Sequence, residues 1–259
     1  MERTIGTSTE AINPTSLPWV RRVMDGIANV RAPMDAKLRA VRADASQPLT
    51  LDCVLRIRPQ FKESDLYEHT LFAAIALGVG AVLRPNALLG QAKIGLAERG
   101  VMVEHLTFYR RDGRQLRRSD TETPDHFKLL IPIDKNDQLA VGQTRIVSAP
   151  TIVHTVWTLW LKVPSGRLFL QKSGTPLYPG TLMKRLKQAM TDAGEPNADR
   201  ITAKCFRKGG ASTLADAGAS DEAISGAGGW RSDAYLHYLG AQQHQRRQLA
   251  TSRTMESDQ

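Results

Sequence analysis

A chain of 259 residues is long enough for one large domain, or for a domain with an appendage. Its 41% hydrophobic and 24% charged residues suit a globular chain with a buried core, and a net charge of +9 with a pI near 9.8 favours a polyanionic partner. The longest apolar stretch, Leu71 to Leu83, falls short of the roughly 18 residues a membrane span needs, and Met1-Glu2-Arg3-Thr4 does not begin a signal peptide, so neither membrane nor export is expected. Cys53 and Cys205 are too far apart in sequence to suggest a disulfide framework and read as small buried residues. The six histidines show no ligand spacing, and no glycine loop is followed by Lys-Ser/Thr, so no metal, nucleotide or other cofactor is expected.

Along the chain, residues 1–14 read as a polar tail, and Ser16-Leu17-Pro18 as a helix start followed by Val20, Val23, Ile27 and Val30 at helical spacing. Residues 31–48 read as a basic, alanine-rich linker. Thr50 begins a short helix. Ser64-Asp65 caps a longer one through about Gly80, with Leu66, Thr70, Ala73, Ala74 and Leu77 on one face. After the Gly78-Val79-Gly80 break, Arg84-Pro85 marks a helix start, where backbone donors favour an anion. Three β-like runs follow: Leu106–Tyr109, Phe127–Ile133 and Thr144–Ser148. The last two flank the polar turn Asp134–Asp137, as in a hairpin.

From Thr151 the pattern is helical again, with a stripe of Val153, Val156, Trp157, Trp160 and Leu161. A second stripe, Leu182, Leu186, Ala189 and Met190, closes at Gly194. Opposite it, Lys184, Arg185 and Lys187 make a basic face, either solvated or laid along a DNA backbone. A helix over 201–217 carries Lys204 and Arg207 on one face and ends at Gly218; that pair can cradle a phosphate. Ser220 caps a short helix running into Gly226, and Ser232-Asp233 caps another that carries Tyr235 and Tyr238. The stretch after Gly240, from Gln242 to Leu249, reads as a helix that docks on a neighbouring protomer or as a frayed tail.

Phe206-Arg207-Lys208-Gly209-Gly210-Ala211-Ser212, Ala217-Gly218-Ala219-Ser220 and Gly229-Trp230-Arg231-Ser232-Asp233-Ala234-Tyr235 with Tyr238 resemble the C-terminal signature of the tyrosine recombinases, the phage-integrase family. The Gly-Trp-Arg-Ser-Asp-Ala wording looks most like recombinases of DIRS-like and Crypton-type mobile elements. The resemblance runs in order from about Leu49 to Gly240. It implies a mainly α fold with a small antiparallel β-sheet (α+β), a catalytic domain over 49–259, and only the end of an N-terminal helical domain, or a linker, in 1–48. By position it gives Arg84 and Arg207 as the two catalytic arginines, Lys135 as the hairpin lysine, with Lys128 nearby, and Trp230 at the His/Trp position. Tyr238, eight residues after the tryptophan, falls at the nucleophile; Tyr235 is its rival. Ala87 stands where the family has an acid and Lys204 where it has a histidine.

The chemistry implied is metal-free cleavage and rejoining of double-stranded DNA through a 3′-phosphotyrosyl link. The arginines would neutralise the nonbridging oxygens, a lysine would protonate the leaving 5′ oxygen, and the Trp230 N–H would donate to the phosphate. Lys184, Arg185, Lys187, Lys208 and Arg231 complete a DNA-binding set. The resemblance further implies a homotetramer on paired sites, in the nucleus of a eukaryote or otherwise in the cytoplasm with the nucleoid. Two rival readings are a recombinase-derived protein that only binds DNA and a nicking enzyme like a type IB topoisomerase.

Overall fold

A computed structural model describes residues 47–90, 100–131, 142–230, 235 and 236. The expected tail, first helix and most of the linker, the hairpin turn with Lys135, and Arg231, Tyr238 and 242–249 lie outside the described residues.

Thr50 caps α1 (Leu51–Ile57), its hydroxyl accepting from the Cys53 N–H. Asp65 caps α2 (Leu66–Gly80) by accepting from the Tyr67 and Glu68 N–H groups, and these bonds hold its carboxyl below the usual carboxylate range. The sequence gives α2 one apolar face. In the structure every residue from His69 to Val79 is buried, because α1 and the later helices Pro150–Lys162, Pro179–Asp192 and Cys205–Asp216 pack around it. Leu66, assigned to that face, is instead 49% exposed at the first turn. A helix apolar all round is a core helix, and its pattern cannot show a preferred side.

A short helix, α3 (Pro85–Leu89), leads towards the sheet. β1 (Leu106–Tyr109), β2 (His126–Ile131) and β3 (Gln143–Val147) form an antiparallel sheet in that order, Phe108 opposite Phe127 and Phe127 opposite Val147. The expected hairpin is therefore formed by its two strands. Leu106, Phe108, Phe127, Leu129, Ile131 and Val147 face the core, while Lys128, Leu130 and Ile146 face outward.

α4 (Pro150–Lys162) buries Ile152, Val153, Val156, Trp157 and Leu159. Leu161, expected in that stripe, is 40% exposed. Trp160 stacks on Trp157 at 5.2 Å and carries the Arg118 guanidinium 4.0 Å above its ring. Arg118 also donates to the carbonyls of Trp160, Leu161 and Val163, a cationic cap on the negative end of the helix. α5 (Pro179–Asp192) buries Leu182, Leu186, Ala189 and Met190 and is closed by Gly194 at φ 70°. No helix among the described residues is long and apolar enough to cross a membrane.

α6 (Cys205–Asp216) and α7 (Asp221–Gly228) are the last helices among the described residues. α6 crosses α2 closely because glycines line the contact. A Cβ on Gly78 would stand 2.5 Å from Phe206, one on Gly210 would stand 2.5 Å from the Val79 carbonyl oxygen, and one on Gly209 would overlap the Leu49 carbonyl. Two bonds stitch the start of α1 to α6: Leu49 N–H to the Cys205 carbonyl at 3.1 Å and Leu51 N–H to the Thr213 hydroxyl at 3.0 Å. Cys53 and Cys205 are free and buried. Burial pushes their thiols up to about 11 and about 12, so both are inert core residues.

Candidate active site

Two helix ends meet at Arg207. At the end of α2, the Val82 N–H bonds the Val79 carbonyl at 3.1 Å and the Leu83 N–H bonds the Gly78 carbonyl at 2.8 Å. This is the paired Schellman pattern, which places the residue after the cap in the left-handed region. The sequence suggests the glycines Gly78 and Gly80 for that break. Both stay within α2, and Val82 takes the left-handed conformation at φ 54°. For a β-branched residue that costs on the order of 1–2 kcal/mol, and surrounding contacts must hold it. Gly210 supplies one, since a Cβ there would stand 3.0 Å from Val82 Cγ2. Beyond this turn, Arg84 precedes α3 as expected. Its side chain is exposed and forms no hydrogen bond or ion pair with the described residues. With five residues α3 offers few aligned peptide dipoles beside Arg84.

The end of α7 repeats the motif. The Gly229 N–H bonds the Gly226 carbonyl at 3.1 Å, and the Trp230 N–H bonds the Ser225 carbonyl at 3.0 Å. Here the left-handed residue is Gly229, at φ 65°. The Ser225 hydroxyl returns a bond to the Trp230 carbonyl at 2.8 Å, and the indole lies directly over Gly228.

Arg207 joins the two turns. Its Nε donates to the Val82 carbonyl at 3.1 Å and its Nη2 to the Gly228 carbonyl, and its guanidinium carbon lies 5.1 Å from the Trp230 ring centre. It is 4% exposed. The expectation that an arginine packed on this helix needs a partner is met by two backbone carbonyls. Lys204 is placed differently from expectation. The helix begins at Cys205, not Ile201, because Ile201 closes the turn Ala198–Arg200 and drops into the core. Lys204 thus stands one residue before α6, exposed, while Arg207 is buried within it.

Tyr235 is 5% exposed and packs with Ala211, Ile224 and Trp230, its ring centre 6.1 Å from the Trp230 ring. Of the two rival phenols, Tyr235 is therefore used in packing. Among the predicted DNA-binding residues, Lys184 is exposed and Lys208 half-buried. Lys187 donates to the Asp199 carbonyl at 3.2 Å. Arg185 is a structural residue: it pairs with Glu68 at 2.8 Å, donates to the Gln60 carbonyl, and lies 4.4 Å over the Phe61 ring. The basic face opposite the α5 stripe is thus partly an inter-helix clamp.

One buried charge beside these turns is not anticipated by the sequence pattern. Arg145, on the inner face of β3, is 8% exposed. Its Nη1 donates to the Gly226 carbonyl at 3.0 Å and its Nη2 to the Gln143 side-chain oxygen at 2.6 Å. The signal was alternation: Arg145 shares the parity of buried Val147, whereas Ile146 is 65% exposed.

No protein-family model and no curated protein matches the chain. Solved structures do. The XerH site-specific recombinase in a post-cleavage complex with palindromic difH substrate matches with a TM-score of 0.54 and 17% identity, over 80% of this chain and 52% of that one. The XerA recombinase matches with a TM-score of 0.53 and 14% identity, over 80% and 66%. The Tn1549 transposon integrase in complex with circular intermediate DNA matches with a TM-score of 0.51 and 14% identity, over 79% and 66%. The chain spans about half the length of the XerH chain. Its fold is that of tyrosine recombinase catalytic domains, helix-rich around a small antiparallel sheet.

Proposed function

We propose that this chain belongs to the tyrosine recombinases and cleaves and rejoins double-stranded DNA through a 3′-phosphotyrosyl intermediate. One observation carries the reading: Arg207 binds at once the turn that delivers Arg84 and the turn that delivers Trp230. The segments holding both arginines and the tryptophan, far apart in sequence, are thereby tied at one place. The shared fold and the ordered motifs support the same reading.

In the proposed reaction the Tyr238 oxygen attacks phosphorus, its phenol proton passing to solvent water, and the bond from phosphorus to the 5′ oxygen breaks. Arg84 and Arg207 take the charge that gathers on the nonbridging oxygens, where guanidinium forks bind phosphate and stay charged. Trp230 donates its indole N–H, and Lys135 protonates the departing 5′ oxygen. A 5′ hydroxyl then attacks the phosphotyrosine and returns the phenol, so the bond energy is conserved and no ATP is consumed. Lys204, as an ammonium, adds positive charge but cannot accept the tyrosine proton; Lys204→His should speed cleavage. Assembly as a homotetramer on paired sites, and descent from a DIRS-like or Crypton-type element, are finer parts of the same proposal.

A duplex nicked just beyond the cleavage site tests it, since loss of the short 5′ fragment traps the adduct. Wild type should form covalent protein–DNA and Tyr238→Phe should not. Tight binding with no adduct from wild type would favour the second reading, a DNA-binding protein that has lost cleavage. The exposed Arg84, with Ala87 where the family has an acid, motivates that alternative.

A further inference from the structure

The end of α7 is held from a second side, by the sheet. Arg145 occupies an inward position of β3, opposite Leu129 and on the face of Val147, where an aliphatic side chain would be the ordinary occupant. A buried arginine is retained at a desolvation cost unless its bonds offset it. Its bond runs to the Gly226 carbonyl, one of the last carbonyls of α7, where a cation also meets the negative end of the helix. Gln143 orients the guanidinium through Nη2. The fit leaves no slack: a Cβ on Gly229 would stand 2.6 Å from both Arg145 Nη2 and the Gln143 side-chain oxygen.

We propose that Arg145 is a positioning residue for strand cleavage. From the hairpin strand it fixes the Gly226–Trp230 turn, and with it the Trp230 indole. Arg207 grips the same turn at Gly228 from α6. Two guanidinium groups on different elements thus define the turn against both the sheet and the end of α2. The catalytic half of the proposal rests on the recombinase reading above; the structural half, that Arg145 orders the turn, does not.

The test uses the full chain with Arg145→Met and Arg145→Lys, together with Gln143→Leu as a milder variant that keeps the arginine. Hydrogen exchange is followed in the peptide spanning 221–230 and in α2. Arg145→Met should speed exchange of the Gly229 and Trp230 amides about tenfold, with α2 amides unchanged and the lysine and leucine variants between. Single-turnover cleavage of the nicked duplex should slow about 10–100-fold in Arg145→Met, the scale expected for a misplaced reacting group. Affinity for the intact duplex should stay within about twofold. The defect should persist on a duplex with sulfur as the 5′ leaving atom, which needs no acid.

Unchanged exchange at 221–230 would overturn the inference, as would wild-type cleavage by Arg145→Met. A defect cured by the sulfur leaving atom would overturn it in favour of an effect on Lys135. If wild type forms no adduct, the recombinase reading fails, and faster exchange in Arg145→Met would still separate that failure from failure of the positioning claim.

Discussion

Replacing Arg207 exposes the energetic logic of the site. Arg207→Met keeps the apolar stem and removes the guanidinium. Lost are charged hydrogen bonds to the Val82 and Gly228 carbonyls, each worth about 1.5–3 kcal/mol, and a contact with Trp230 worth about 0.5–2 kcal/mol. Against this stands the relief of removing a buried charge, several kcal/mol. The remainder is a net loss of about 3 kcal/mol, or roughly 6–12 °C in melting temperature for a body of this size. The Val82 turn, already strained at φ 54°, then loses one of its restraints. Arg207→Lys keeps the charge and can reach one carbonyl, so about half that loss is expected. Thermal unfolding followed by circular dichroism at pH 7 measures both. A methionine variant melting within about 1 °C of wild type, or a lysine variant equal to it, would refute the claim that this guanidinium ties the two turns.

Glycine substitutions should divide by geometry. Gly209→Ala forces a Cβ into the Leu49 carbonyl and should destabilise by about 2 kcal/mol or more, whereas Gly226→Ala, with open space around it, should stabilise α7 by about 0.5–1 kcal/mol; denaturant titration of both tests the sign. His69 and His105 are held below the ordinary histidine range by burial, and His69 Nδ1 has no hydrogen-bond partner among the described residues. Because the folded values are depressed, the unfolded chain binds protons first. Stability should hold above about pH 6.5 and fall below it, by at most about 1.4 kcal/mol per pH unit for each histidine. His69→Leu should flatten that fall between pH 6.5 and 5 in urea titrations, and an unchanged slope would remove His69 as a cause. Lys184→Ala should reduce the salt dependence of DNA affinity by about one unit with little change in melting, while Arg185→Ala should lower the melting temperature by several degrees. The reverse result would return Arg185 to the DNA surface.

Local chemistry was legible where it acts through neighbours in sequence. Thr50, Asp65 and Ser220 cap the helices they precede, Gly194 and Gly218 follow helix ends in the left-handed region, and β1 spans Leu106–Tyr109 as read. What the chain alone concealed depends on tertiary context. α2 is buried on every side, so its composition hid which neighbours it meets. Gly78 and Gly80 look like a helix stop, yet Gly78 is spent on the close approach of Phe206 and Gly80 on that of Ile152, leaving Val82 to make the turn. Arg185 is written as a surface cation, and only packing shows Glu68 and Phe61 beside it. Arg145 is silent in the sequence because a charge on an inward strand position has meaning only where α7 ends against it.

The most direct measurement is the identity of the residue joined to DNA. The trapped adduct is digested with protease and nuclease, and the nucleotide-bearing peptide is sequenced by mass spectrometry. The expected result is a phosphodiester on Tyr238, absent from Arg84→Ala and Arg207→Ala preparations that remain folded. Attachment at Tyr235, at a serine, or undiminished attachment in either arginine variant would contradict a site in which two guanidinium groups and the Tyr238 phenol serve one phosphate.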